Sequence, residues 1–414
     1  MASCGLDFGT SNSTVALPSG QALAIDPNAP SPRLFRSVLF FPEEAKNVLA
    51  GFAAIEEYLE RSEGRFIQSV KGWLPSTSFT ATQIRNKAYK LEDLIALLLR
   101  RIREAAESAA GTTLEEVTLG RPAVFSPDAA ADAHAESRLR RAAELAGFRD
   151  IRFLIEPIAA ALAYEATLTR DELVLVADFG AGTSDLTLMR LGPGRGGARD
   201  RRADVVASGG IDIGGDRFDA AIMRHKLLRH FGAGSTYEQQ GKHMPIPNHI
   251  LGKLLSWHEM SFIRERSTQQ LIDRMLYASD NVPAIEALYD LVEENLGYRL
   301  FRAIEAAKIR LSAGDATTVD FEEARISIHE PITRAEFEQF SAPLLAGLAT
   351  TTQEVLDRAQ VAPDAIDSVF LTGGSSQIPA VRRLFGGKFG DGKLRTADAF
   401  TSVAEGLGRS AGAR

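Results

Sequence analysis

Cysteine is almost missing from this chain. Cys4 is the single one in 414 residues, which excludes an intramolecular disulfide and a cysteine-based metal centre. It abuts a short apolar stretch and reads as a small buried residue, not a nucleophile. No apolar run approaches the ~18 residues of a membrane span, and no secretory signal pattern is visible, so a cytoplasmic protein is expected. An excess of positive charge is lacking too. The net charge is −7 and the pI about 5.7, which disfavours a general nucleic-acid-binding surface. The basic cluster Arg195, Arg199, Arg201 and Arg202 lies in a Gly-rich stretch and reads as a solvated hairpin tip, not an RNA-binding arm. The seven histidines show no metal-ligand spacing. What remains is 45% hydrophobic and 24% charged, ordinary for a soluble globular protein, with length for two or three domains.

Against that plain background, two turns share a grammar. Asp7-Phe8-Gly9-Thr10-Ser11-Asn12-Ser13 lies near the N-terminus, and Asp178-Phe179-Gly180-Ala181-Gly182-Thr183-Ser184-Asp185 lies 171 positions further on. Each follows an apolar strand, Cys4–Leu6 or Leu173–Ala177, and precedes a return strand of a hairpin. Glycine in such a turn lets backbone N–H groups and hydroxyls approach a phosphate. The leading aspartate suits a hydrated Mg²⁺ or an oriented water. A single turn of this kind occurs in many surface hairpins. Two related ones suggest a duplicated domain clamping one polyphosphate.

Along the chain, residues 1–37 read as short strands and turns, and about 38–117 as an inserted subdomain. The latter carries Lys71 and a helix from about Leu91 to Ala110, with Leu94, Leu97, Leu98, Ile102 and Ala106 on one stripe and Gly111 as its stop. A strand at 117–125 follows, then an Ala-rich helix at about 132–146. The strand Ile151–Ile155 runs into Glu156-Pro157 and a helix through Tyr164, with Pro157 suited to a first turn. The polar break Thr169–Glu172 opens a second half, and about 220–313 reads as helical, interrupted at Pro245, Pro247 and Pro283. The last hundred residues return to mixed α/β.

In this order the chain resembles the ATPase domain of the DnaK-type (heat-shock 70) chaperones, within the actin/sugar-kinase/heat-shock ATPase superfamily, and more closely its YegD-type branch. The resemblance rests on the two phosphate turns, on Glu156-Pro157 with its alanines, on Glu305-Ala306-Ala307-Lys308-Ile309-Arg310-Leu311-Ser312, and on Phe370-Leu371-Thr372-Gly373-Gly374-Ser375. It implies an α/β, two-lobed actin-like ATPase fold, a duplicated ribonuclease-H-like domain. Lobe I is expected at 1–170 with its insert at about 38–117, and lobe II at 171–414 with a helical insert at about 220–313.

The resemblance further implies ATP or ADP with Mg²⁺. Lys71 would reach the γ-phosphate and Glu156 would position water, with Asp178 and Thr183 as further catalytic groups. Asp7 and Asp178 would hold the metal through water. Nucleotide contacts fall on Asp7, Gly9, Thr10, Ser11, Asn12, Gly180, Gly182, Thr183, Gly214, Gly215, Asp216, Glu305, Lys308, Ser312, Gly373, Gly374 and Ser375. By spacing alone, Glu305 and Lys308 are a surface pair, Lys71 a solvent lysine, and Glu156 a charge at a helix N-terminus.

Four departures bear on function. Ile309 stands where the family has an arginine stacking on adenine, and Gln377 where another basic residue is common. Arg310, one position on, points about 100° away on a helix. Ala181 replaces a glycine, which requires a negative φ. The chaperones also continue into a peptide-binding domain, whereas no residues for one are expected here. Four readings stay open: a slow chaperone-type ATPase working with a client-binding protein partner, a nucleotide-gated module with negligible turnover, a small-molecule kinase, and an actin-like filament. No nucleic-acid or membrane partner is expected.

Overall fold

The computed structural model describes residues 2–44, 47–61, 63–195, 201–256, 260, 263, 266–396 and 401–412; Arg199 of the basic cluster lies outside them. Contacts divide the chain into two compact units. The first comprises Met1–Asp212, Leu348–Ser376 and Arg382–Arg414, and the second Ile213–Gly347 and Gln377–Val381.

The first unit holds two five-stranded mixed sheets. In one, the spatial order is Asp150–Ile155, Leu114–Arg121, Ala2–Phe8, Asn12–Ala16, Phe35–Arg36. In the other it is Leu394–Thr396, Ser368–Thr372, Glu172–Phe179, Ser184–Leu191, Val205–Ile211. In both, the strand that comes first in sequence lies in the middle. It is flanked by an antiparallel hairpin partner and by a later parallel strand. The repeated order is the duplication that the paired turns suggest. Val174, Leu175, Val176 and Ala177 are fully buried, as expected for a central strand covered on both faces.

Helices follow their local signals. Leu91–Ala110 buries Leu94, Leu98, Ile102 and Ala106 and stops at Gly111, whose φ is 66°. The Ala-rich helix starts earlier than its hydrophobic pattern suggests, at Ala129, because Asp128 accepts a bond from the Ala131 N–H and caps it. In the second unit, the hairpin Thr236–Gln239 with Lys242–Pro245 breaks what reads as a helical stretch. Pro283 does not interrupt a helix; it sits in the first turn of Val282–Glu293 behind the Asn281 cap.

The solvated reading of the basic cluster fails for Arg201. Its side chain is only 3% exposed and forks onto Glu165 at 2.8 and 2.9 Å. Arg195 bonds Asp171 and Asp204. The carboxylates of Glu165, Asp171 and Asp204 balance the charge of these two arginines.

Candidate functional site

Phe8 pairs with Ser13 and Phe179 with Ser184, so both turns are loops of the same length at the same end of a central strand. Asp7 lies opposite Thr14, while Asp178 lies between Asp185 on one neighbouring strand and Thr372 on the other. Ala181 is not among the residues with positive φ, so the turn accepts alanine without strain. Gly373 has φ +81°, and a Cβ there would lie 2.2 Å from the Phe179 carbonyl oxygen. Only glycine therefore lets the Gly373–Gly374 turn sit against the second Asp-Phe-Gly turn.

Lys71 belongs to a short 3-10 turn, Val70–Trp73, entered through Ser69 at φ 55° and pinned by buried Val70 and Leu74. Behind it, the buried Arg138 bonds Glu92 at 2.7 Å and the carbonyl oxygens of Ser76 at 2.8 Å and Phe79 at 3.3 Å. The Lys71 ammonium donates to Glu156 Oε1 at 2.8 Å, and both side chains are 12% exposed. Glu156 opens the helix Glu156–Glu165, with Pro157 in its first turn.

This pair shares a field with the aspartates of both turns. Burial, then Glu156, pushes Asp7 up to about 7, against the pull of Lys71. Burial, Glu156, Asp185 and Asp7 push Asp178 up to about 8, again opposed by Lys71. Asp185 rises to about 6 through burial and Glu156, while the Thr183 hydroxyl, 3.3 Å away, works the other way. For Lys71, burial favours the neutral amine, but Glu156, Asp7 and Asp185 outweigh it and hold the ammonium above its ordinary value. Several carboxylates thus face one cation, a site short of positive charge. Among the described residues no group of three or more His, Cys, Asp or Glu side chains has the geometry to ligate a metal directly. A hydrated Mg²⁺, which keeps most of its waters, would need only one or two carboxylates such as Asp7 and Asp178.

Asp185, which the resemblance assigns no role, pairs with Asp178 across the hairpin. The sequence carries the signal: seven residues after Asp178, across a four-residue loop, is the position directly opposite it in the hairpin.

Gly9, Thr10, Ser11 and Asn12 form the first turn and Gly180, Gly182 and Thr183 the second. Thr183 is exposed and Ser375 buried. The remaining nucleotide candidates lie in the second unit. There the Lys308 ammonium bonds Asp219 at 2.8 Å and the Gly215 carbonyl oxygen at 3.2 Å, joining the Glu305–Ser312 face to the Gly214-Gly215-Asp216 turn. Burial lifts Asp219 to about 6 despite Lys308, and its Oδ1 has no hydrogen-bond partner. Glu305 pairs with Arg302, and the Ser312 hydroxyl donates to the Lys308 carbonyl oxygen. Arg310 bonds Thr317 and Thr318, so it does not stand in for the arginine absent at 309. Ile309 is 61% exposed.

Among the described residues no helix is long and apolar enough to cross a membrane. Compared with protein families, residues 75–246 and 285–412 match the family described as Hsp70 protein.

Proposed function

This chain belongs to the Hsp70 family, a family of ATP-binding, chaperone-type ATPases, and from that premise we propose that it hydrolyses Mg·ATP slowly to ADP and phosphate, with closure of two lobes, 1–170 and 171–414, as its output. A protein partner supplies client binding. The observation that carries the reading is the partly buried Lys71–Glu156 pair set among Asp7, Asp178 and Asp185. Notably, Lys71 and the first turn lie outside the residues matched to the family, so their support is geometric.

The reaction transfers a phosphoryl group to water through a loose, charge-spread transition state, so the protein's work is positioning and electrostatics. Lys71 places a fixed ammonium where charge develops on the γ-phosphoryl oxygens. Glu156, at hydrogen-bonding distance from Lys71, holds the attacking water on the far side. Gly9, Thr10, Ser11 and Asn12, with Gly180, Gly182 and Thr183, present backbone N–H groups and hydroxyls to the phosphates. Gly214, Gly215, Asp216, Glu305, Lys308, Ser312, Gly373, Gly374 and Ser375 would take the rest of the nucleotide. Asp7 and Asp178 would hold the hydrated Mg²⁺, which neutralises phosphate charge when bound.

The test is phosphate release from Mg·ATP by wild type and Lys71→Ala, with nucleotide binding measured in parallel. Retained binding with turnover down ~100-fold or more, the scale for losing one transition-state donor, supports the reading. Binding without turnover in either protein contradicts it and favours the second reading, a nucleotide-gated module. The engagement of Lys308 by Asp219 and the exposed Ile309 favour that alternative.

A further inference from the structure

The ten-residue helix Glu156–Glu165 has a reactive-site carboxylate at its first position and an unusual carboxylate at its last. A negative charge at a helix C-terminus opposes the macrodipole, and Glu165 is also buried, its side chain 5% exposed. Neither helix propensity nor burial favours glutamate there. What holds it is a full set of donors: two guanidinium N–H groups of Arg201 at 2.8 and 2.9 Å and the Gly192 N–H at 3.1 Å. Arg201 is fixed in turn by Asp204, which Arg195 also bonds at 2.6 Å. One residue earlier, the Tyr164 hydroxyl donates to Glu172 at 2.6 Å and lies 2.7 Å from the Ser368 hydroxyl. Every one of these partners lies in the second five-stranded sheet or the connections leaving it.

Midway along, the helix is held by a close contact with another helix. A Cβ on Gly406, in the helix Ser402–Gly412, would lie 1.9 Å from the Ala159 carbonyl oxygen. The Glu156–Glu165 helix therefore has a tight contact at its centre, the Lys71–Glu156 bond at one end and a charged anchor at the other. A rod about 15 Å long held this way transmits a swing at one end to the other.

We propose that Arg201, through Glu165, is a positioning residue for Glu156: the buried Glu165–Arg201 anchor fixes the far end of the helix and so sets where the Glu156 carboxylate stands. This rests on the ATPase reading for its consequence but not for its geometry. A buried ion pair is weak evidence for stability, since apolar residues of like volume often serve as well. Directional bonding of the helix end is what such a replacement would lose.

The test uses the full chain as wild type, Arg201→Met, Glu165→Met/Arg201→Met, Glu156→Gln and the Glu156→Gln/Arg201→Met double. The Glu165→Met/Arg201→Met protein removes both charges and so guards against misfolding from one unpaired buried charge. Amide hydrogen exchange is read by mass spectrometry along residues 156–167, and phosphate release and the ATP KM are measured alongside. The expected result for Glu165→Met/Arg201→Met is faster exchange reaching Ala159–Ala161, with kcat down about tenfold, one decade or ~1.4 kcal/mol, at unchanged KM. In the Glu156→Gln background, Arg201→Met should cost nothing more, because residues acting through one group are not additive. Exchange changes confined to Tyr164–Thr167, or a loss of turnover equally large in the Glu156→Gln background, would overturn the proposal. If wild type releases no phosphate, the ATPase reading falls, and the exchange pattern alone decides whether the anchor holds the helix.

Discussion

Asp178 shows what burial beside other carboxylates costs a charged group. Its carboxyl is pushed to about 8, Asp7 to about 7 and Asp185 to about 6, from an ordinary value of 3.8 in each case. A carboxyl whose folded value is raised binds more protons in the folded state than in the unfolded one. Its favourable contribution is complete below the unfolded value and is lost as pH rises through the folded value. The metal-free protein should therefore lose stability between about pH 6 and 8, read as a falling Tm in scanning calorimetry. Asp178→Asn should flatten that fall and raise Tm at pH 8. Added Mg²⁺ should stabilise more at pH 8 than at pH 6, since it favours the ionised carboxylates. A Tm that climbs over this range, with the same slope in Asp178→Asn, would contradict the assigned field. Of these residues, Asp7 and Asp178 are legible from the Asp-Phe-Gly turns. The Arg201–Glu165 contact is not, because a run of arginines beside glycines gives no hint of an acceptor 36 residues upstream.

At the scale of elements, legibility follows locality. Leu91–Ala110 shows itself through a four-residue apolar spacing and a terminal glycine, and the structure ends it at that glycine. The hairpin Thr236–Gln239 with Lys242–Pro245 does not show itself. Its strands are short, and one of them, Lys242–Pro245, is exposed throughout, so no alternating pattern survives. The Ser402–Gly412 helix is another case: its glycines weaken helix propensity, yet they are what lets it lie on the Ala159 backbone. Gly406→Val should accordingly destabilise the fold by ~1–3 kcal/mol, the range for overpacking a tight contact, as measured by urea unfolding. An unchanged midpoint would mean that the two helices separate easily.

For the whole molecule, the telling feature is repetition. Two sheets share one strand order, and each carries its aspartate at the same end of its middle strand. The sequence shows that repetition as two short turns 171 positions apart, while the convergence of Asp7, Lys71, Glu156, Asp178 and Asp185 depends on strand pairings no local pattern encodes. On the proposed function, this convergence binds a nucleotide polyphosphate together with a hydrated cation. The most direct measurement is a calorimetric titration of ADP with and without Mg²⁺, for wild type and Asp178→Asn. Mg²⁺ should tighten ADP binding by about tenfold or more in wild type, ~1.4 kcal/mol, and most of this gain should disappear in Asp178→Asn. Binding that ignores both the metal and the substitution, or no binding at all, would contradict it.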